Sequence, residues 1–301
     1  MEIPTRCTLC PRRCGANRAA GETGLCGGAD VLRAARAALH FWEEPCISGT
    51  RGSGTVFFSG CPLHCCYCQN YTISAENYGR PLTTRQLADA FLRLQETGAH
   101  NINLVTAGHW LPWVLEALAL ARPALTVPIV YNTGGYETPA SLAALDGVVD
   151  VYLTDLKYVS AELSALYSDA PDYFAVAGEA ARLMCAQTGA PRFDENGLLQ
   201  RGVIVRHLAL PGAVEDSFAA LDWLASALPR GGFLMSLMSQ YTPFYRAKTD
   251  PRFHALARRI STWEYRRVVN RAVELGLTQG FMQEKSSAKE EYTPVFDGTG
   301  L

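Results

Sequence analysis

The chain has 301 residues, 48% of them hydrophobic and 19% charged, which suits one large α/β domain with a substantial core. A formal net charge of −2 gives no electrostatic case for nucleic acid or an anionic membrane as the main partner. No run approaches the ~20 apolar residues of a membrane span, and ten cysteines without a recognisable secretory leader point to metal or redox chemistry in a reducing compartment, so a cytoplasmic location is expected.

In chain order, residues 1–30 form a cysteine-rich, metal-binding segment. Cys7, Cys10, Cys14 and Cys26 make a C-x2-C-x3-C-x11-C arrangement interleaved with glycines. Four soft ligands at this spacing suit structural zinc or an iron–sulfur cluster, and spacing does not choose between them. A helical stretch is expected at Val31–Phe41, then a turn-rich lead through residues 42–53 in which Cys46 is an isolated, buried thiol. Apolar, β-rich runs follow at 54–59, 101–105, 127–131, 149–154, 202–208 and 233–238. They alternate with segments of helical period at 84–97, 110–121, 139–145, 160–187 in two or more pieces, and 214–228. A helical tail runs to Leu275, with Asp250-Pro251 and Ser261 as candidate starts and Gly276 as the stop. Residues 189–201 read as a long loop, and 281–301 as a C-terminal tail whose charged run is a solvated face or, more sharply, a segment folded across the open side of the sheet.

Alternating strand and helix implies a parallel sheet with right-handed crossovers. Six units are too few to close an eight-stranded barrel. The expected fold is α/β, an open partial (β/α)6 barrel over residues 31–280, with its chemistry at the C-terminal ends of the strands.

The stretch Gly60-Cys61-Pro62-Leu63-His64-Cys65-Cys66-Tyr67-Cys68 begins where the first of those runs stops. Cys61, Cys65 and Cys68 form a C-x3-C-x2-C triplet. Iron–sulfur cubanes normally take four thiolates, so three leave one iron open to a substrate or cofactor. Structural zinc is the competing use of clustered cysteines, but zinc sites are usually built from paired C-x2-C units, and this loop has no such partner nearby. Cys66 is the spare thiol, expected to pack inward or lie against the loop rather than to be a fourth ligand.

Later strand ends carry polar groups. Thr106-Ala107-Gly108-His109 follows the second run, where His109 caps the next helix or contacts a ligand. Asn132 and Thr133 precede two glycines and can hydrogen-bond a ribose or carboxylate, or simply make a turn. Asp155 and Lys157 share one strand face, suiting a zwitterion or a plain salt bridge. Arg206 offers a planar fork to a carboxylate.

The cysteine triplet with Tyr67 before its last member resembles the signature of the radical S-adenosylmethionine (SAM) superfamily. Ser53–Ser74, Tyr131–Glu137, Leu153–Tyr158, Arg206–Gly212, Ser236–Tyr245, the N-terminal cysteine motif and the final residues together resemble the pyruvate formate-lyase-activating-enzyme-like group, which activates glycyl radical enzymes. The resemblance implies that Cys61, Cys65 and Cys68 ligate a catalytic [4Fe–4S] cluster whose open iron is chelated by SAM. It also carries SAM contacts to Tyr67, to the backbone of Ala107 and Gly108, and to Asn132, Thr133, Asp155, Lys157 and Arg206. The chain departs from the group's Gly-Gly-Glu-Pro turn, keeping only Gly108 in kind, and lacks the acid common at Asn132. The implied activity is reductive cleavage of SAM to a 5′-deoxyadenosyl radical, with reduced flavodoxin or ferredoxin as electron donor. The hydrogen donor is then a glycine of a partner glycyl radical enzyme; the alternative is a small molecule or peptide. A non-catalytic metal-binding or electron-transfer protein is the reading from a different class.

Overall fold

The computed structural model describes residues 2–283 and 293–301. Among the described residues the strands are β1 (Arg33–His40), β2 (Ser53–Phe58), β3 (Arg80–Pro81), β4 (Ile102–Val105), β5 (Ile129–Thr133), β6 (Val151–Asp155), β7 (Arg192–Phe193), β8 (Leu199–Leu208), β9 (Leu234–Met238) and β10 (Gly280–Met282). The α-helices are α1 (Pro45–Ser48), α2 (Tyr71–Ser74), α3 (Thr84–Glu96), α4 (Leu111–Ala121), α5 (Pro139–Leu145), α6 (Ala161–Ser168), α7 (Tyr173–Thr188), α8 (Val214–Ala227), α9 (Arg246–Thr249) and α10 (Thr262–Glu274). The strands form one open sheet in the order β10-β9-β8-β6-β5-β4-β2-β1-β3, with β7 attached to β8. Pairing is parallel from β2 through β10 along that path, and antiparallel where β1 meets β2 and β3. The expected open α/β sheet is therefore the fold.

Local chemistry sets the helix starts. Thr83 and Gln86 close a capping box on α3, and Ser261 and Glu264 close another on α10. Thr138 and Ser160 cap α5 and α6 with their hydroxyls. Gly276, just past α10, takes φ 73°, as the stop signal requires.

Strand alternation builds two cores on the two faces of the sheet. Ile102, Leu104, Ile129, Tyr131, Tyr152, Val203 and Val205 face the helices. Val130, Leu153, Ile204 and Leu234 face the other way and pack on Cys46 and Ile47 of α1. Period 2 puts Asn132, Asp155 and Arg206 on this second face, one step nearer the C-terminal strand ends. The short helix α1 thus plugs the concave side beneath them, with Cys46 buried as expected.

Three expectations change. The stretch expected to be helical at Val31–Phe41 contains β1; its alanine-rich composition favours a helix locally, but pairing with β2 decides the outcome. The 189–201 loop contains the β7–β8 hairpin, turned by Asp194, whose Oδ1 accepts from the backbone N–H of Asn196 and Leu198. The tail begins as β10, parallel to β9, and residues 293–301 pack on β1 and β2: the Ala37 N–H of β1 donates to the Thr299 carbonyl, and Phe296 meets the edge of Phe57 of β2. Most of the charged run, 284–292, lies outside the described residues. No helix among the described residues is long and apolar enough to cross a membrane.

Candidate functional site

The loop that follows β2 is fixed by its backbone. Gly60 donates to the Ile73 carbonyl, Cys61 to Cys26, Cys66 to Tyr167 and Cys68 to Cys65. Gly60 has φ 83°, and a Cβ there would strike the Cys26 carbonyl and approach His109 Nε2 to 3.0 Å, so only glycine fits. Cys61, Cys65 and Cys68 line a single cavity of about 250 Å³. Cys66 is turned away and fully buried in the core, as expected.

Burial pushes the Cys61 thiol well up and the Cys68 thiol up to about 11, which makes both poor nucleophiles at neutral pH. Iron would displace those protons. Two hydroxyls reach the sulfurs: Ser168 donates to Cys65 Sγ at 3.0 Å, and Ser74 Oγ lies 3.2 Å from Cys68 Sγ. Because the single Ser168 proton goes to sulfur, its oxygen accepts from Tyr158 at 2.9 Å, and the Tyr158 oxygen in turn accepts from Tyr67 at 2.5 Å. Tyr67 therefore heads a chain of hydroxyls ending on a loop sulfur, while its ring adjoins a second lobe lined with Cys65, Cys68 and Gln240.

The opposite wall is charged. Asp155 accepts from Lys157 Nζ at 2.6 Å and from Arg206 Nε at 2.8 Å. Arg206 Nη2 donates to Asn132 Oδ1 at 2.7 Å, and Nη1 lies 3.4 Å from Glu43 Oε2. Glu43 Oε1 also accepts from Asn103 and Asn132. Burial alone would raise the Asp155 carboxyl, but Arg206 and Lys157 outweigh it and hold it below the ordinary range. Burial likewise works against the Lys157 and Arg206 cations, and their carboxylate neighbours reverse it, raising both. Glu43, raised mainly by burial, was missed in the sequence because it sits in a turn-rich stretch with no motif.

Beside this network, Thr133 Oγ1 donates to Glu137 Oε1 at 2.6 Å, with the Tyr131 hydroxyl adjacent. Burial pushes the Glu137 carboxyl up to about 7, against those two hydroxyls. A Cβ on Gly108 would come within 2.5 Å of Glu137 Oε2, so glycine at 108 leaves room for a carboxylate at the cavity surface, where it can accept from a cationic ligand. Glu137 lies at the end of a quoted motif but carried no assigned role from spacing.

The structure thus brings Cys61, Cys65, Cys68, Gly108, Asn132, Thr133, Asp155, Lys157 and Arg206 to one cavity. Ala107 is buried outside it, leaving only its backbone to serve. His109 is not a helix cap: its Nε2–H donates to the Ser59 carbonyl at 2.8 Å, and burial lowers its pKa to about 4, so it is neutral. Of the N-terminal cysteines, Cys10 reaches the cavity, while Cys26 holds Cys61 from behind.

An open, mostly parallel α/β sheet thus sets a three-thiol loop opposite a cation–carboxylate wall at its strand ends. Residues 55–184 match the family described as the Radical SAM superfamily. Over 256 residues the chain is 29% identical to an uncharacterized protein, MJ0674, of Methanocaldococcus jannaschii, covering 81% of this chain and 68% of that one. The crystal structure of Streptococcus suis SuiB bound to S-adenosylmethionine is similar in fold, with a TM-score of 0.50 at 11% identity, covering 74% of this chain and 48% of SuiB. Methylornithine synthase, PylB, gives a TM-score of 0.48 at 14% identity, covering 71% of this chain and 59% of that one. The chain spans about half to three fifths of the lengths of these two solved proteins. The radical SAM family implies a [4Fe–4S] cluster and SAM, and three thiols facing a cation–carboxylate wall across one cavity suit both.

Proposed function

We propose that this chain is a radical SAM enzyme whose substrate is a glycine of a partner glycyl radical enzyme. The observation that carries the radical reading is the single cavity shared by Cys61, Cys65 and Cys68 on one wall and Asp155, Lys157 and Arg206 on the other. When bound, a [4Fe–4S] cluster with reduced flavodoxin or ferredoxin as electron donor would supply one-electron reductive cleavage of SAM, and with it the means of taking a hydrogen atom from the substrate.

Cys61, Cys65 and Cys68 would be the ligands that hold it. Lys157 and Arg206 bind and orient the anionic part of SAM, with Asp155 and Asn132 fixing their geometry. Thr133 and the backbone at Ala107 and Gly108 complete the contacts, and Tyr67 steadies the loop through Tyr158 and Ser168. Cys7, Cys10, Cys14 and Cys26 hold zinc or a second iron–sulfur cluster, and the protein works in the cytoplasm. The segments 1–30, 31–280 and 281–301 act as metal-binding segment, catalytic domain and tail.

A small-molecule or peptide substrate is the second reading, favoured by Thr293 and Pro294, which stand in the cavity wall and narrow the approach of a large partner. Anaerobic reconstitution followed by measurement of 5′-deoxyadenosine, with and without candidate glycyl radical enzymes, tests both. SAM cleavage with a new glycyl radical in the partner supports the first reading; cleavage that no partner alters supports the second. No cleavage at all overturns the radical reading and leaves a binding or electron-transfer protein.

A further inference from the structure

The side of the cysteine loop that faces away from the cavity is clamped by segments remote from it in sequence. The Cys66 N–H donates to the Tyr167 carbonyl at 2.7 Å, and the Cys66 carbonyl accepts from the Ala247 N–H of α9 at 2.8 Å. Leading into α9, Tyr245 has φ 50°, a left-handed backbone that tyrosine rarely adopts. Strain of this kind persists where it places groups for use. The turn lays the Tyr245 ring on that of Tyr71, with centroids 5.0 Å apart and planes 10° from parallel. Both residues are half-buried. Tyr71 opens α2, and Ser74 at its other end puts Oγ 3.2 Å from Cys68 Sγ. A partly exposed aromatic pair thus stands one helical turn from a loop sulfur.

The surface beside that pair is basic, although the whole chain carries a formal charge of −2. Between residues 246 and 259 stand Arg246, Lys248, Arg252, Arg258 and Arg259 against a single acid, Asp250. Asp250 is taken by Arg252 at 2.5 Å, Arg258 is held by Glu264 at 2.7 Å, and Asp169 at the end of α6 lies 3.9 Å from Arg12. Arg246 packs its guanidinium 5.1 Å from the Phe253 ring, and Lys248 is exposed. Among the described residues neither of these two makes an ion pair. An isolated basic run would be a solvated face, but this one is tied by its backbone to the residue that follows Cys65. Charge of one sign at such a place steers an oppositely charged protein to it. Tyr71, Tyr245, Arg246 and Lys248 line neither the cavity nor its second lobe, so a protein bound there leaves both open.

We infer that the surface formed by Tyr71, Tyr245, Arg246 and Lys248 is the docking site of an acidic flavodoxin, the one-electron donor. This rests on the proposal above that Cys61, Cys65 and Cys68 hold a redox-active cluster, and it gives the donor a place on the molecule. The flat tyrosine pair suits the exposed edge of a flavin ring, and the unpaired cations suit the carboxylates around it. In the step itself the reduced flavin loses one electron and the cluster gains it, with no bond made or broken. Donor and substrate then reach opposite sides of one loop and do not compete.

The full chain is reconstituted anaerobically with iron and sulfide, and reduction of its cluster by a fully reduced acidic flavodoxin is followed by stopped-flow absorbance. In Lys248→Glu the second-order rate constant falls about 3- to 10-fold at low ionic strength, and the gap to wild type closes as salt rises. Lys248→Arg keeps the wild-type rate. So does Arg122→Glu, a reversal at the end of α4 beside Ile129 and Gly147, where β5 begins and therefore at the opposite end of the strands. Photoreduction by 5-deazariboflavin, which is uncharged, is the same in all of them. An unchanged rate in Lys248→Glu, or equal losses in Lys248→Glu and Arg122→Glu, overturns the inference. So does a loss that appears with deazariboflavin too, since the variant then disturbs the cluster itself. If Lys248→Glu slows an acidic ferredoxin but not the flavodoxin, the flavin donor is overturned. Should no cluster assemble, the radical reading falls, and calorimetry of oxidised flavodoxin binding to the apoprotein decides the surface. Weaker binding by Lys248→Glu at low salt supports it, and equal binding overturns it.

Discussion

The two cysteine groups set the same side chain in opposite surroundings. The 61–68 loop hangs from the end of a buried strand, and the charges facing it form an open network in which Lys157 and Arg206 share Asp155, with Glu43 and Asn132 behind. The N-terminal segment has little regular structure, a 3-10 turn at Arg18–Ala20 being its clearest element, and is held by docking. Arg12 donates to the Pro62 and Ser168 carbonyls, Ser141 to Leu9, and Asn77 to Gly27. Its one central cation, Arg18, is sealed between the indoles of Trp110 and Trp113. Cations that share a carboxylate can turn to a ligand, whereas one sealed between indoles is held in place.

The largest expected effect breaks the comparison outright. Cys65→Ala drops 5′-deoxyadenosine formation to background, because one corner of the catalytic cluster is lost. Cys14→Ala/Cys26→Ala removes the metal of its own centre and slows cleavage by about 10- to 100-fold, the scale of a lost supporting shell. Equal loss in both variants, with both folded, would erase the distinction between catalytic and bracing centres. Next comes Arg206→Met, which leaves Asp155 with Lys157 alone and strands Asn132 and Glu43. Breaking a buried charge network in this way costs about 3–5 kcal/mol, read from the urea midpoint of the apoprotein.

The sequence made the scaffold legible for a physical reason: six strands buried on both faces are apolar runs, and the helices between them carry their own caps at Thr83, Thr138, Ser160 and Ser261. The gathering of three thiols in the cysteine loop was legible because Cys61, Cys65 and Cys68 lie within eight residues. β1 was not, since an alanine-rich run reads as helix until a partner strand claims it. Glu43 and Glu137 line the cavity but were not assigned, because neither stands at a strand end in a motif whose spacing marks a ligand; Asn103 acts behind the wall, donating to Glu43. Arg18 escaped notice because the tryptophans that bury it lie some ninety residues away.

Glu137 sharpens the contrast within the cavity itself, because it has no cation to offset its burial. Its folded pKa of about 7 stands above the ordinary 4.5. The folded protein therefore keeps a proton that the unfolded chain releases, and stability falls as pH rises through that window. Glu137→Gln cannot ionise. Relative to wild type, the variant gains up to about 3 kcal/mol between pH 5 and pH 8, measured by urea unfolding of the apoprotein. Asp155 has the opposite sign, its lowered pKa adding stability that is lost only as pH falls into the acid range.

The smallest effect concerns the hydroxyl chain from Tyr67 through Tyr158 and Ser168 to Cys65 Sγ. Tyr67→Phe removes its first donor and leaves the Tyr158 oxygen without a partner there, at about 1 kcal/mol. The loop and its ligands stay in place, so the iron count is unchanged. Ser168→Ala removes the donor that touches sulfur, and a thiolate with fewer hydrogen bonds favours the oxidised cluster. The catalytic cluster's midpoint potential should therefore move to more negative values in Ser168→Ala, and by a smaller step in Tyr67→Phe, where the chain is only weakened at its far end. Equal shifts would mean that Tyr67 acts on the cluster by its position in the loop rather than through the hydroxyls, and an unmoved Ser168→Ala would detach the chain from the cluster altogether.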